Sequence, residues 1–194
     1  MVVNNCVWIG GAIIVVLIIL IIVLRYRTEN FASNDSLNSV AISYGSSIIP
    51  YIAIMVSKQP SQFSPQTILQ QANTSASAFG NKLQQMYPNA QLNTLFTDQL
   101  NVIQRALSNP KTRHDVSQLK SQLDDSNKIM VNKLYGANPK YNYHKLYNLI
   151  TTYTMTAVSI IPDITHSVPV SQIGTAVQNN MTNLNNFANY LLSP

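Results

Sequence analysis

Side chains that could carry out catalysis or hold a metal ion are few and widely separated in this chain. The three histidines are His114, His144 and His166, and Glu29 is the only glutamate. Metal sites need clustered His, Cys or carboxylate ligands, and acid–base catalysis needs groups that reach the same substrate. The sequence therefore predicts no catalytic centre, no cofactor and no metal site, and we expect a protein that is not an enzyme.

The adjacent pair Asp124 and Asp125 is the closest approach to a carboxylate cluster. On a helix, neighbouring side chains point about 100° apart, so the two carboxylates cannot act together on one substrate. Lys120 and Lys128 lie at the spacing that favours ion pairs on a helix surface. No nucleotide-binding glycine motif or serine-nucleophile motif is present. A metal-dependent helical enzyme is therefore only the third hypothesis, after a structural protein and a ligand-binding or sensor module.

Polarity in this chain comes from amides more than from charges. Charged residues make up 10% of the sequence, compared with about 25% in a typical globular protein, while there are 22 Asn and 14 Gln. Residues 111–145 hold most of the positive charge. Because these charges are spread along a long helical stretch, they favour a solvated helix face, and we do not expect nucleic-acid binding.

The single cysteine, Cys6, excludes an intrachain disulfide. It is either an unmodified thiol or a palmitoylation site.

An uncharged run of 18 residues extends from Val7 to Leu24. As a helix it would span roughly 27 Å, close to the thickness of a bilayer's hydrocarbon core. Trp8 lies at one end, where aromatic rings favour the membrane interface, and Arg25 and Arg27 end the run. The sequence therefore predicts a single transmembrane anchor within residues 1–27.

Two alternatives to the anchor are a cleaved signal peptide and a buried core helix. The head of the chain lacks the basic residues of a signal peptide, and the run has no polar face. Arg25 and Arg27 place the C-terminal domain on the cytoplasmic side by the positive-inside rule. Sequons at Asn34, Asn73 and Asn180 would instead indicate a lumenal domain, but we attribute them to the abundance of asparagine.

After a polar linker at 28–38, apolar residues recur at helical spacing through 39–194. The predicted helices cover about 39–57, 65–86, 92–107, 116–136, 143–161 and 169–191. Ser64 and Pro65 form a helix start signal, Pro50 predicts a kink or a late start in the first helix, and Pro162 predicts the end of the fifth. The fold class is therefore all-α: an N-terminal transmembrane helix followed by an up-down bundle of about six helices, arranged as three helical hairpins.

Three stretches resemble an uncharacterised family of bacterial helical-hairpin bundle proteins: Ile68–Asn73, Leu95–Leu100 and Leu134–Tyr141. The resemblance would cover about 43–193 and implies a helical bundle without a settled activity. Members often carry a histidine in the third and fifth helices, where this chain has Thr97–Gln99 and Thr151–Tyr153. The layout of anchor, short linker and Asn-rich domain also resembles membrane-anchored minor virion proteins of large icosahedral DNA viruses.

The last quarter of the chain predicts an interface with other proteins. All 12 Lys and Arg residues lie at or before Lys145, and Asp163 is the one formally charged residue after it. Interface cores are depleted of charge, so the expected contact residues lie on the outward sides of the last two helices: Gln172, Asn179, Asn183 and Asn186, with Thr151, Thr152, Thr154 and Thr156. A genome-wide amide bias is the competing explanation.

Our leading interpretation is a structural, membrane-anchored protein whose bundle docks onto other proteins of an assembly, such as the capsid or inner membrane of a large DNA virus. Its expected partners are a lipid bilayer and the proteins of that assembly. The alternative is a membrane-tethered module that binds a ligand or acts as a sensor, which would need a cavity lined by convergent polar groups.

Overall fold

The computed structural model describes residues 36–56, 65–109, 112, 115–165 and 170–194, and this part of the chain is all-α. The predicted anchor, with Val7, Trp8, Leu24, Arg25 and Arg27, lies outside the described residues. Six helices confirm the predicted fold class: α1 (Leu37–Val56), α2 (Pro65–Met86), α3 (Leu95–Leu107), α4 (Ser117–Ala137), α5 (Tyr143–Thr165) and α6 (Val170–Leu192).

Helix α1 begins within the predicted linker. The backbone N–H of Ser39 donates to the side-chain oxygen of Ser36 at 3.2 Å, which satisfies one of the free N–H groups at the helix start. Leu37 is buried, so the first turn is also held by packing. The helix continues through Pro50, so the suggested late start at this residue is wrong.

Helix α5 continues past the position where its end was predicted. Pro162 lies inside the helix, which ends at Thr165. A proline removes one backbone hydrogen bond, whereas Ile160 and Ile161 in the same turn are buried in the core. Most helical stability in proteins comes from tertiary packing, and here that packing outweighs the local helix-breaking tendency.

Helix α1 occupies the centre of the bundle and packs against α2, α3, α5 and α6. Within the described residues it is the one helix long and apolar enough to cross a membrane. In its most apolar stretch of 18 residues, 67% of the residues are buried inside the bundle. A helix this rich in apolar residues is normally covered on most of its surface. Because the protein's own helices supply that cover, we treat α1 as the core helix of the bundle.

Five helices each contribute one aromatic side chain to the middle of the core. The rings of Phe79 (α2) and Phe96 (α3) stack with centroids 4.1 Å apart, and Tyr44 (α1) meets Phe96 edge-on at 5.4 Å. Phe187 (α6) packs against Phe79 at 6.2 Å and against Tyr153 (α5) at 6.0 Å. Aromatic pairs add to the free energy gained from area burial, so this cluster fixes the helices around α1.

Candidate functional site

Within the described residues, the side chains whose types could carry chemistry do not converge. The described part of the chain contains no group of three or more His, Cys, Asp or Glu side chains that could hold a metal ion. His144 is exposed at the start of α5, where its ring packs edge-on against Tyr143 with centroids 5.9 Å apart. His114 and His166 lie outside the described residues.

The two adjacent aspartates form a solvated ion pair with a lysine, as predicted for Lys128. Its Nζ lies 2.6 Å from Asp124 Oδ2 and 3.7 Å from Asp125 Oδ1. Lys120 takes part in neither pair. The hydrogen bond from Lys128, together with one from the hydroxyl of Tyr147, lowers the pKa of Asp124. The carboxylate is therefore held in its charged form and is unsuited to act as a general acid.

A network of buried polar side chains joins α3, α4 and α5. Gln99 Nε2 donates to Asn127 Oδ1 at 2.9 Å, and Asn127 Nδ2 donates to Thr154 Oγ1 at 2.9 Å. The hydroxyl of Tyr153 donates to Gln99 Oε1 at 2.9 Å. All four residues are essentially inaccessible to solvent, so the network holds the fold together and offers no binding site.

That network corrects one expectation for α5. Thr154 was expected on an outward side, but it is buried, and its hydroxyl also donates to the carbonyl of Ile150. Thr151 and Thr156 are half-buried and Thr152 is exposed. Because a hydroxyl can be buried once it has hydrogen-bond partners, the absence of charge alone does not identify the outward side of a helix.

Several amides of α6 bind other helices of the bundle. Asn180 is fully buried and donates through Nδ2 to the carbonyl oxygen of Gly45 in α1 at 3.2 Å. Near the start of α1, Asn38 Nδ2 lies 2.7 Å from Asn185 Oδ1 and 2.6 Å from Asn189 Oδ1. These contacts between sequence-distant amides were not predicted.

The remaining polar side chains of α6 form a neutral outward surface. We define the α6 outer face as the exposed residues Gln178, Asn179, Thr182 and Asn186. Of the predicted interface residues, Asn179 and Asn186 belong to it. Asn183 is half-buried and donates to Thr156 Oγ1 at 3.1 Å, so part of its hydrogen-bonding capacity is used within the bundle.

Gln172, the fourth predicted interface residue, lies in the first turn of α6, and its side chain is outside the description. The helix that carries the α6 outer face has no charged residue in 23 positions, and neither does α1 in 20. By contrast, α4 carries five charged residues in 21 positions.

Two of the three sequons lie within the described residues. Asn180 has no solvent-accessible surface, so a glycan cannot be attached to it in the folded protein. Asn73 is half-buried. The burial of Asn180 agrees with the interpretation that the sequons reflect the abundance of asparagine.

A groove lies between the exposed sides of α3 and α4, with a volume of about 650 Å³. Asp98 and Arg105 line it from α3, and Asp125 and Ile129 line it from α4. Ile129 is 57% exposed, the largest exposed fraction among the large apolar side chains in the described part of the chain. The groove is open to solvent and has charges of both signs.

Comparisons with protein families, with characterised proteins and with solved structures found no match.

Proposed function

We propose that this chain is a structural protein that is tethered to a membrane and docks through the α6 outer face onto other proteins of an assembly. The tether is the uncharged run from Val7 to Leu24. The observation that carries the docking proposal is the neutral outward surface of α6, which is exposed yet contains amides and hydroxyls in place of charges.

Physical chemistry distinguishes such a surface from one that faces bulk water. A charged side chain loses much of its hydration free energy when a partner covers it, whereas an amide that finds a hydrogen-bond partner loses far less. Interface cores are accordingly depleted of Lys, Glu and Asp. The α6 outer face can be covered by a partner without burying a charge, and its amides can both donate and accept hydrogen bonds.

The assembly we propose is a virion of a large icosahedral DNA virus, with the chain as a minor capsid or inner-membrane protein. The support is the layout: an apolar anchor, a short linker and a small amide-rich bundle. The positive-inside rule places the bundle on the cytoplasmic side of the membrane, where capsid proteins of such a virus would meet it.

A charge-introduction variant tests the docking surface. In Asn179→Glu/Thr182→Glu/Asn186→Glu, three exposed positions on one side of α6 gain a negative charge. We expect the variant to be lost from purified particles, because a docked partner would bury the new carboxylates. The measurement is the amount of protein in purified particles, by quantitative mass spectrometry, relative to the amount in the membrane fraction of the producing cells.

The matched control adds the same charge elsewhere. In Ser121→Glu/Asn132→Glu/Asn148→Glu the three positions are exposed on α4 and α5, and we expect normal incorporation. Thermal unfolding of both variants tests whether the bundle stays folded. Equal incorporation of the two variants would place the docking surface elsewhere, and absence of the unaltered protein from particles would refute the virion assignment.

The ligand-binding alternative is favoured by one observation, the groove between α3 and α4. It brings Asp98, Arg105 and Asp125 together beside the exposed Ile129, which are polar and apolar groups that could orient a ligand. A ligand held there would contact Arg105 and Ile129, so Arg105→Gln and Ile129→Ser should each weaken it. Ligand-observed NMR against a metabolite mixture tests this; if no compound's signal depends on these residues, the alternative is refuted.

A further inference from the structure

In the up-down topology, the start of α1, where the chain enters the bundle, lies at the same end of the bundle as the end of α6. Asn38, at the start of α1, binds Asn185 and Asn189 near the end of α6. The hydroxyls of Tyr87, just after α2, and Tyr141, just before α5, are hydrogen-bonded to each other. We call this end, where α1, α3 and α5 begin and α2, α4 and α6 finish, the entry end.

Three tyrosines hold the entry end together. The hydroxyl of Tyr141 donates to the carbonyl oxygen of Leu191 at 2.8 Å, so the hydrogen between Tyr141 and Tyr87 belongs to Tyr87. The backbone N–H of Asn142 donates to the hydroxyl of Tyr190 at 2.8 Å. These hydrogen bonds hold the side chains at this end in a defined position relative to the start of α1.

Lysines dominate the charge of the entry end. Lys133 lies near the end of α4, Lys140 lies in the α4–α5 turn, and Lys145 lies in the first turn of α5. Lys133 Nζ donates to the carbonyl oxygen of Gln91 at 3.2 Å. Lys145 Nζ lies 4.3 Å from the centre of the Tyr190 ring. Among the residues that the structure describes, the ion pairs with carboxylates are those of Lys128, so Lys133, Lys140 and Lys145 form none.

Exposed apolar side chains lie at the same end of the bundle as these lysines. Three large hydrophobic residues in the described part of the chain are strongly exposed, and two of them, Tyr135 (41%) and Leu192 (51%), lie at the entry end. The ring of Tyr135 packs edge-on against Tyr143 with centroids 5.9 Å apart. Tyrosine and lysine are the residue types that favour the boundary between lipid and water, because each combines an apolar body with a polar tip.

We propose that the entry end rests on the anionic headgroups of the bilayer in which the chain is anchored; this rests on the membrane anchoring proposed above. Eleven residues, 25–35, separate Leu24 from Ser36, so the chain between them reaches at most about 43 Å. The tether leads to the entry end, so the lysines are held at high local concentration near the lipid. Negative headgroups on the cytoplasmic leaflet attract clustered lysines near a membrane anchor.

Amine labelling of the full chain in vesicles tests this. The protein is reconstituted into vesicles of phosphatidylcholine alone, or of phosphatidylcholine and phosphatidylserine in a two-to-one ratio, and treated with a membrane-impermeant amine reagent. Mass spectrometry gives the labelling of Lys140 and Lys145 relative to Lys120, which is exposed near the opposite end of α4. The ratio within the same molecules does not depend on how many bundles face outward.

We expect phosphatidylserine to lower the relative labelling of Lys140 and Lys145 several-fold, and high salt to restore it, because exposed charges are screened. Hydrogen exchange in the 138–142 turn should slow in the same vesicles. Lys140→Gln/Lys145→Gln should abolish this slowing, whereas the charge-matched Arg105→Gln/Lys120→Gln should retain it.

The outcomes separate the two proposals. If alkaline carbonate strips the unaltered chain from the vesicles, the anchoring is refuted and this inference with it. If the chain stays integrated but labelling is the same in both lipids, the anchoring stands and the inference is overturned. If phosphatidylserine has no effect but a short duplex RNA protects the same lysines, the entry end binds nucleic acid and the inference is likewise overturned.

Discussion

Helices α4 and α6 both pack against α5, yet their outward sides have different chemistry. Helix α4 exposes lysines and aspartates, and Lys128 pairs with Asp124 and Asp125 in water. Helix α6 exposes amides and hydroxyls and has no charged residue. Surface charges keep a helix solvated, whereas amides allow one helix to supply both buried contacts with α1 and a surface that a partner can cover.

The largest effect we expect comes from placing a charge inside the α1–α6 contact. Asn180→Asp keeps the shape of the side chain but buries a carboxylate and removes the hydrogen bond to Gly45. The free energy of unfolding should fall by about 3–5 kcal/mol, the range for an uncompensated buried charge, as measured by chemical denaturation. Asn179→Asp, one residue earlier and exposed, is the control and should be nearly neutral; equal losses would mean that Asn180 is not buried.

Two glycine-to-alanine substitutions compare the tight contact of α6 with α1 and the open surroundings of α4. A Cβ at Gly45 would lie 3.0 Å from Leu184 Cδ1 and 3.1 Å from the backbone Cα of Met181. Gly45→Ala should therefore force α1 and α6 apart and cost about 1–3 kcal/mol. At Gly136 in α4 a Cβ meets nothing within 4 Å, so Gly136→Ala should stabilise by roughly 0.5–1 kcal/mol. Thermal unfolding of the two variants should shift in opposite directions.

A smaller effect is expected where α4 faces the core. Asn127→Ala removes the middle of the buried network and leaves Gln99 without its acceptor, which should cost about 1–2 kcal/mol. Asn132→Ala, on the exposed side of the same helix, serves as control. Similar urea midpoints for the two variants would show that the network contributes nothing to stability.

The smallest effect should come from the ion pair on α4. Hydrogen bonds from Lys128 and Tyr147 lower the pKa of Asp124 from its ordinary value of 3.8. Its contribution is therefore fully present above that value and is lost as the pH falls through the lower, folded-state pKa. Because the side chain is partly exposed, Asp124→Asn should cost less than about 1 kcal/mol near neutral pH.

The pH dependence provides the check on this last prediction. The difference in stability between the unaltered protein and Asp124→Asn should shrink when unfolding is measured at successively lower pH below about 4. Asp125→Asn, at a more exposed carboxylate with the longer contact to Lys128, is the control and should cost less stability than Asp124→Asn at neutral pH. A difference that does not change with pH would show that the Asp124 carboxylate gains nothing from its partners.

Local patterns in the sequence were sufficient to predict most of the helices. Ser64 and Pro65 predicted the start of α2, and the helix begins at Pro65. The same local reasoning failed at Pro162, which lies inside a helix where Ile160 and Ile161 are buried. At Pro50 the predicted helix is present, and only the suggested late start is wrong, because the helix begins at Leu37. A helix-breaking tendency is a property of the residue, whereas the packing that overrides it depends on helices elsewhere in the chain.

The sequence by itself determined that the bundle is helical and that α6 carries no charge. Only the tertiary structure decided which uncharged polar residues face inward. Asn180 and Asn183 are three positions apart, yet Asn180 is buried against the carbonyl of Gly45, whereas Asn183 donates to Thr156 and is partly exposed to solvent. The physical reason is that burying an amide N–H costs least where an acceptor lies within hydrogen-bond distance. For Asn180 that partner is 135 residues away in the sequence, and no local pattern shows it.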